Sequence, residues 1–305
     1  MRKRGMFFTV MVIFIVTLFF LSYTIYDVVK DRGPINKRVE TLNNFVFSVE
    51  EDIPRYLYIA GFRSIFLVHE EIVATKNYIG SVEDSFEELF YYGTLNGNTK
   101  DLMSGATFDD MTDSFGRFAN KVNADIYFGE FEVFVDQVDP WNIRIHLDLE
   151  MLIIDRGNLV SWNKTLSVDS LVPIENFEDP LYLIESGGIT NTIIKSPYEV
   201  FVDGVDVSNL SSHVENSYYV ASDSAPSFLD RLEGRNLENE NGIESFVYVP
   251  KLSAQGISSK DKSAIDYIYF SNNNPAYFSV SGMPSWFKID NEDGHVADYG
   301  LAGLT

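Results

Sequence analysis

Residues 2–26 read RKRGMFFTVMVIFIVTLFFLSYTIY, and this stretch decides how the rest of the chain must be organised. From Met6 to Tyr26 no residue is charged, and the only polar members are Thr9, Thr17, Ser22 and Thr24. Their hydroxyls can bond back to carbonyls of a helix. At the helical rise of about 1.5 Å per residue the run measures about 31 Å, the thickness of a bilayer hydrocarbon core. A secretory signal has a shorter apolar region, about 7–15 residues, ending in a small-x-small cleavage site. Leu21-Ser22-Tyr23-Thr24-Ile25-Tyr26 offers none, and Tyr23 and Tyr26 suit a headgroup belt. The expectation is a retained single span in the cell membrane, with the lipid bilayer as its first partner. Three cations before the run and Asp27 after it place the N-terminus in the cytoplasm and the C-terminal part outside.

That exterior part is large and acidic. The chain has 305 residues and a net charge of −22, which becomes −25 over residues 27–305 once the three leader cations are set aside. A surface of that sign repels phosphate backbones, so nucleic acid is excluded as a partner. Hydrophobic residues make up 45%, enough to bury a core. Cysteine is absent, which removes thiol catalysis, thiolate metal sites and disulfides together.

Gly33-Pro34 is expected to interrupt the first helix. Beyond it Ile35, Val39, Leu42, Val46, Val49 and Ile53 recur in steps of four and three, one apolar seam on a helix. Pro54 suggests a break near Asp52, followed by a second helical stretch through Leu57, Phe62, Phe66 and Val73. Ser81-Val82-Glu83-Asp84 and Ser227-Phe228-Leu229-Asp230 have capping-box spacing, with Gly93 and Gly234 as the matching stops. Thr107-Phe108-Asp109-Asp110 is a further helix start. The period then changes: Phe131, Val133 and Val135 alternate with polar residues, as do Ile143, Ile145, Leu147, Leu149, Met151 and Ile153. With turns at Asp139–Asn142 and Asp155–Asn158, and a return through Leu159 to Pro173, this predicts a three-stranded antiparallel meander. Strands are also expected at 189–202, 243–252 and 265–270. The fold class is α+β: a transmembrane helix continuing into an amphipathic helix, further helices, an antiparallel β-meander, and a second β-rich region. The expected segments are a basic leader (1–5), the span (6–26), a helical stalk and packing region (27–123), the meander (124–179) and the β-rich remainder (180–305).

Arg4-Gly5 directly before an apolar helix resembles the class III signal of type IV pilin-like proteins, most of all its archaeal form. The resemblance implies peptidase cleavage between Gly5 and Met6, a helix retained after cleavage, and assembly with pilin-like or other cell-envelope proteins through bundled apolar helices. Val10 would stand fifth after cleavage, where bacterial pilins carry a glutamate.

Chemistry-bearing motifs are few. His69, His146, His213 and His295 are far apart in sequence, without a His-Glu-x-x-His pair. There is no Gly-x-Ser-x-Gly elbow and no phosphate-binding Gly-x-x-x-x-Gly-Lys loop. Acids cluster at Asp109, Asp110 and Asp113, at Glu175, Glu178 and Asp179, and at Asp290, Glu292 and Asp293. Such clusters in so acidic a chain read as solvated faces or helix starts, and Asp290–Gly294 departs from a calcium loop in its glycine position. Trp141, Trp162 and Trp286 are read as core. Asn163-Lys164-Thr165 and Asn209-Leu210-Ser211 are glycosylation sequons, making Asn163 and Asn209 the expected modification sites. No catalytic set, cofactor or metal site is expected. The leading reading is a non-catalytic, membrane-anchored surface protein, a pilin-like structural or adhesive subunit. The alternatives are an anchored glycan-processing enzyme and a calcium-dependent binding module.

Overall fold

The computed structural model describes the backbone of residues 2–305 and the side chains of residues 7–26 and 33–305. The side chains of Gly5 and Met6, where cleavage is expected, thus lie outside the described residues. Helix is 44% and strand 23%, and the pairing is antiparallel, so the class is α+β.

Helix α1 (Arg2–Thr75) runs unbroken for 74 residues. Neither Gly33-Pro34 nor Pro54 ends it, contrary to the sequence expectation. A proline inside a helix removes one hydrogen bond, at a cost of about 3 kcal/mol. Around Pro54 the apolar seam does not change face: Val49, Ile53, Leu57 and Ala60 are all buried, so packing carries the helix through. The span itself has no such packing. Every residue from Phe7 to Tyr26 is exposed, and Thr17 and Thr24 hydroxyls donate to the carbonyls of Ile13 and Phe20 at 2.8 and 2.5 Å.

The chain forms two compact units. The first takes in Met1–Ile53, Thr112–Phe131 and Leu149–Leu166. Here the buried seam begins at Leu42, and Phe115, Leu149, Met151 and Ile153 are buried as well. Arg38 holds Asp155 at 2.6 Å and the Asn123 carbonyl at 2.8 Å, and Glu50 is paired with Lys164.

The second unit takes in Pro54–Met111, Glu132–Asp148 and Ser167–Thr305. Helices α2 (Val82–Tyr92) and α3 (Phe108–Lys121) start as their sequences predict. Ser81 Oγ accepts from the Asp84 amide, and Thr107 Oγ1 from that of Asp110. Gly93 closes α2 in the left-handed region, at φ 65°. Strands β1 (Ala124–Asp139), β2 (Asn142–Asp155) and β3 (Ser161–Pro173) form the meander, with β2 central. Along β2 the odd positions from Ile143 to Ile153 are buried and the even ones are not, the signature of a sheet covered on one face.

Residues 180–305 are not β-rich, which corrects the sequence reading. They hold short helices α4 (Pro180–Glu185), α5 (Ser208–Glu215), α6 (Phe228–Glu233), α7 (Val249–Ala254), α8 (Asp266–Phe270) and α9 (His295–Asp298). Between these lie two small ladders, β4 (Tyr219–Ala221) with β5 (Ile243–Ser245) and β6 (Tyr277–Ser279) with β7 (Lys288–Asp290). The stretch 189–202 makes only isolated bridges, and Pro197 lacks the amide a ladder needs. Pro250 sits in the first turn of α7, its most comfortable helical position, and converts the second half of 243–252 to helix. Residues 266–270 are buried on every side, a pattern that fits helix and strand alike.

Gly61 brings α1 close against the sheet within the second unit. A Cβ added there would lie 2.6 Å from Ile145 Cγ1 and 3.3 Å from Val172 Cγ2. Gly61→Ala gains helix propensity of about 1 kcal/mol but overpacks by about 1–3 kcal/mol. A net loss of stability in chemical denaturation is expected, and a more stable variant would refute this packing.

Candidate functional site

Four places in the described residues could carry function: the bare apolar span, a Ser–His–Asp arrangement on the meander, an acidic pocket, and an aromatic groove.

On the open face of the sheet, His146 of β2 meets Ser167 and Asp169 of β3. Its Nδ1 lies 2.5 Å from Asp169 Oδ1, and its Nε2 lies 3.3 Å from Ser167 Oγ. These are the connections of a hydrolytic triad, with a second carboxylate on the serine side of the ring. Nε2 also faces Asp148 Oδ1 at 3.2 Å, and the Ser167 hydroxyl bonds to Asp148 as well. Burial pulls the imidazole pKa down, yet the bonds to Asp169 and Asp148 and their charges outweigh it and raise it above its ordinary value. A raised pKa favours the protonated ring, and Asp148 competes with Ser167 for Nε2. Phe134 stacks on the ring at 4.4 Å, and Arg144 joins Asp136 at 2.5 Å and Asp169 at 3.9 Å. The arrangement is a cross-strand charge ladder tying β1, β2 and β3 together.

The acidic pocket, about 370 Å³, is lined by Phe201, Asp223, Glu240, Glu244, Asp298 and Tyr299 among others. Its inner carboxylate is already engaged. Tyr299 donates to Glu244 Oε1 at 2.7 Å, and His295 Nε2 lies 3.4 Å from Oε2. His295 is itself buried, with Nδ1 2.8 Å from Asp290 Oδ1. Burial lowers its pKa, but the bonds and charges of Asp290 and Glu244 overcome this and raise it to about 10. Asp290, expected as part of a calcium-like turn, is therefore the partner of a buried imidazolium. Among the described residues no group of three or more His, Asp or Glu side chains could hold a metal ion.

A cavity of about 600 Å³ is a groove in the second unit lined by Phe62, Phe66, His69, Glu70, Val73, Pro173, Glu175, Asn176, Phe177 and Glu178. Three of these come from sequence-predicted sets, His69 and the Glu175–Glu178 pair; the third acid of that cluster, Asp179, turns away into the core. Along α1 the rings of Tyr58, Phe62 and Phe66 follow at 6.4 and 6.5 Å with planes within 21° of parallel. Each ring is about 40% exposed, so the helix shows solvent an aromatic strip. Phe177 closes the groove, 6.0 Å from Phe62 and 5.6 Å from His69. His69 donates from Nε2 to the Glu178 carbonyl at 3.0 Å, and burial lowers its pKa despite that bond.

The remaining sequence candidates fall to structural roles. Asp110 accepts from the Gly105 amide at 2.9 Å at the start of α3. His213 is a core residue against Phe201 and Phe246, and burial lowers its pKa to about 4. Trp141 carries the Lys195 ammonium 5.3 Å over its ring, and Trp286 packs on Tyr248. Asn163 on β3 and Asn209 in α5 are both exposed, and the Asn209 amide nitrogen donates to the Val200 carbonyl at 2.9 Å. Comparison with protein-family models, with curated proteins and with solved structures gave no match to this chain.

His295 makes a definite pH prediction. Its folded-state pKa is raised, so its contribution is fully present below about 6.5 and is lost as pH rises through about 10. Unfolding free energy should fall across that window, before exposed tyrosines ionise. His295→Gln should abolish the slope and cost about 3–5 kcal/mol at neutral pH, because it strands two buried carboxylates. A flat profile in the native protein would refute the pairing.

Proposed function

We propose that this chain is a single-span membrane protein that presents a non-catalytic, acidic α+β head outside the cell, as a pilin-like structural or adhesive subunit. One observation carries the reading. The 20 residues Phe7–Tyr26 form a helix that no other part of the protein covers, and burial begins only farther along the same helix. An apolar helix left bare in water is unstable, whereas at a span's centre each Leu, Ile, Phe or Val contributes about −0.3 to −0.6 kcal/mol. Arg2, Lys3 and Arg4 favour a cytoplasmic N-terminus by the positive-inside bias. If copies bundle, close packing among apolar helices would hold them, since lipid and neighbour are equally apolar. Support for a binding or structural role comes from the triad-like arrangement, in which Asp148 competes with Ser167 for His146 Nε2.

The anchor is tested on producing cells. The intact chain should stay in the membrane pellet after carbonate washing, and protease added to whole cells should remove the head. Release by carbonate, or a head resistant only until lysis, would overturn the reading. The mass of the native N-terminus divides its two forms: a start at Met6 assigns pilin-type processing, and a start at Met1 a plain anchor.

The sequons separate on their geometry. Both asparagines are exposed, but the Asn209 amide is tied to the Val200 carbonyl. In a host that glycosylates exported sequons, Asn163→Gln should remove a glycan mass shift and Asn209→Gln should leave it unchanged. The opposite result would place the modification on α5.

A further inference from the structure

The aromatic groove combines two features that rarely share one surface. Its lining combines the aromatic residues Phe62, Phe66 and Phe177 with three acids, Glu70, Glu175 and Glu178. No lysine or arginine lines it. Elsewhere the protein's own cations do sit over rings: Lys121 over Phe118, Lys195 over Trp141 and Lys288 over Tyr277, among others. Among the described residues none of these pairs involves Phe62, Phe66 or Phe177, and the Phe62 and Phe66 rings stay about 40% exposed while Phe177 is buried behind them.

Each feature by itself admits several ligands, but together they select one class. A neutral apolar ligand would fill the cavity and bring three carboxylates close to hydrocarbon, with loss of their hydration. An anion would be repelled. A cation with an apolar shell satisfies both: its charge lies against the negative ring faces and the carboxylates, and its methyl groups cover the aromatic lining. The cavity volume of about 600 Å³ lies within the usual range for small-molecule sites. The Tyr58–Phe62–Phe66 strip is set by i,i+4 spacing on a helix pinned beneath by Gly61, so the ring faces are preorganised.

We propose that this groove binds a small organic ammonium ion of the alkylated or quaternary type, held by cation–π contact with Phe62 and Phe66 and by the charge of Glu70, Glu175 and Glu178. The inference does not depend on the anchor and would hold for the head in any compartment.

The test is calorimetric titration of the full chain in maltoside micelles, which carry no ammonium, with choline and tetramethylammonium as probes. Both should bind. Dimethylbutanol, the neutral tert-butyl counterpart of choline, should bind about tenfold or more weakly, since it keeps the shape and loses the charge. Phe62→Leu and Phe66→Leu, which keep an apolar lining but remove the π face, should each weaken choline about five- to tenfold while near-ultraviolet circular dichroism stays unchanged. Glu70→Gln should weaken binding and flatten its salt dependence. Phosphocholine separates a free ammonium from a lipid headgroup: its phosphate meets three carboxylates and should bind more weakly than choline. Equal binding of the neutral isostere, unchanged affinity in both leucine variants, tighter binding of phosphocholine, or no heat at millimolar choline would each overturn the proposal.

Discussion

Arg231 is the constraint on which the C-terminal half of the head depends. Its side chain is fully buried, with Nη1 2.6 Å from Asp179 and 2.8 Å from Asp266, and Nη2 donating to the Ile243 carbonyl. Asp179 also accepts from the Tyr219 hydroxyl at 2.8 Å, and that hydroxyl accepts from Asn191. These groups come from the start of α4, from α6, from α8 and from both strands of the β4–β5 ladder. A region with so little regular structure cannot fix its segments by long ladders or helix seams. A buried guanidinium can, because an unpaired charge in the core costs several kcal/mol and only one arrangement of the segments pairs all of it. The net stability of such a network is modest, since desolvation cancels most of the attraction. What it gives is a single register for elements of three to eight residues.

The same logic explains which parts were legible in the sequence. The meander was, because alternation from Ile143 to Ile153 requires no knowledge of the rest of the fold. So were the starts of α2, α3 and α6, where a serine or threonine cap and an acid three residues on form a local signature. The Ser227 box is complete, its hydroxyl and amide both bonded to Asp230. Pro54 misled because its penalty is local, whereas the seam that carries α1 through it is tertiary. Residues 266–270 misled because complete burial erases periodicity, and the network around Asp266 that buries them is visible only in space.

The site was less legible than the fold, for a related reason. Phe62 and Phe66 read as ordinary members of an apolar helix, and nothing in the sequence says that they lie on its outer face. Phe177, which closes the groove, follows 115 residues after Phe62 in a loop after β3. Glu175 and Glu178 were visible as an acidic pair, but only the fold separates them from Asp179, which the core claims. His146 shows the reverse case. Its place on the polar face of β2 was predictable, whereas Ser167 and Asp169 reach it only through the strand register, and in the resulting likeness to a triad Asp148 competes with Ser167 for Nε2.

Two of the bare apolar surfaces among the described residues, the Phe7–Tyr26 helix and the groove at Phe62 and Phe66, differ in charge and so suit different partners. The span from Phe7 to Tyr26 carries no ionisable carboxylate along its length, and a bilayer interior accepts such a surface without desolvating any charge. The groove around Phe62 and Phe66 is lined by three glutamates, and the same interior would reject it, since each buried carboxylate would have to be neutralised or stripped of water. An apolar face of a second head is disfavoured too, because two surfaces belonging to strongly acidic bodies repel as they approach. What remains compatible is a partner that brings positive charge with its hydrocarbon. Charge, rather than hydrophobicity, is therefore what separates these two surfaces.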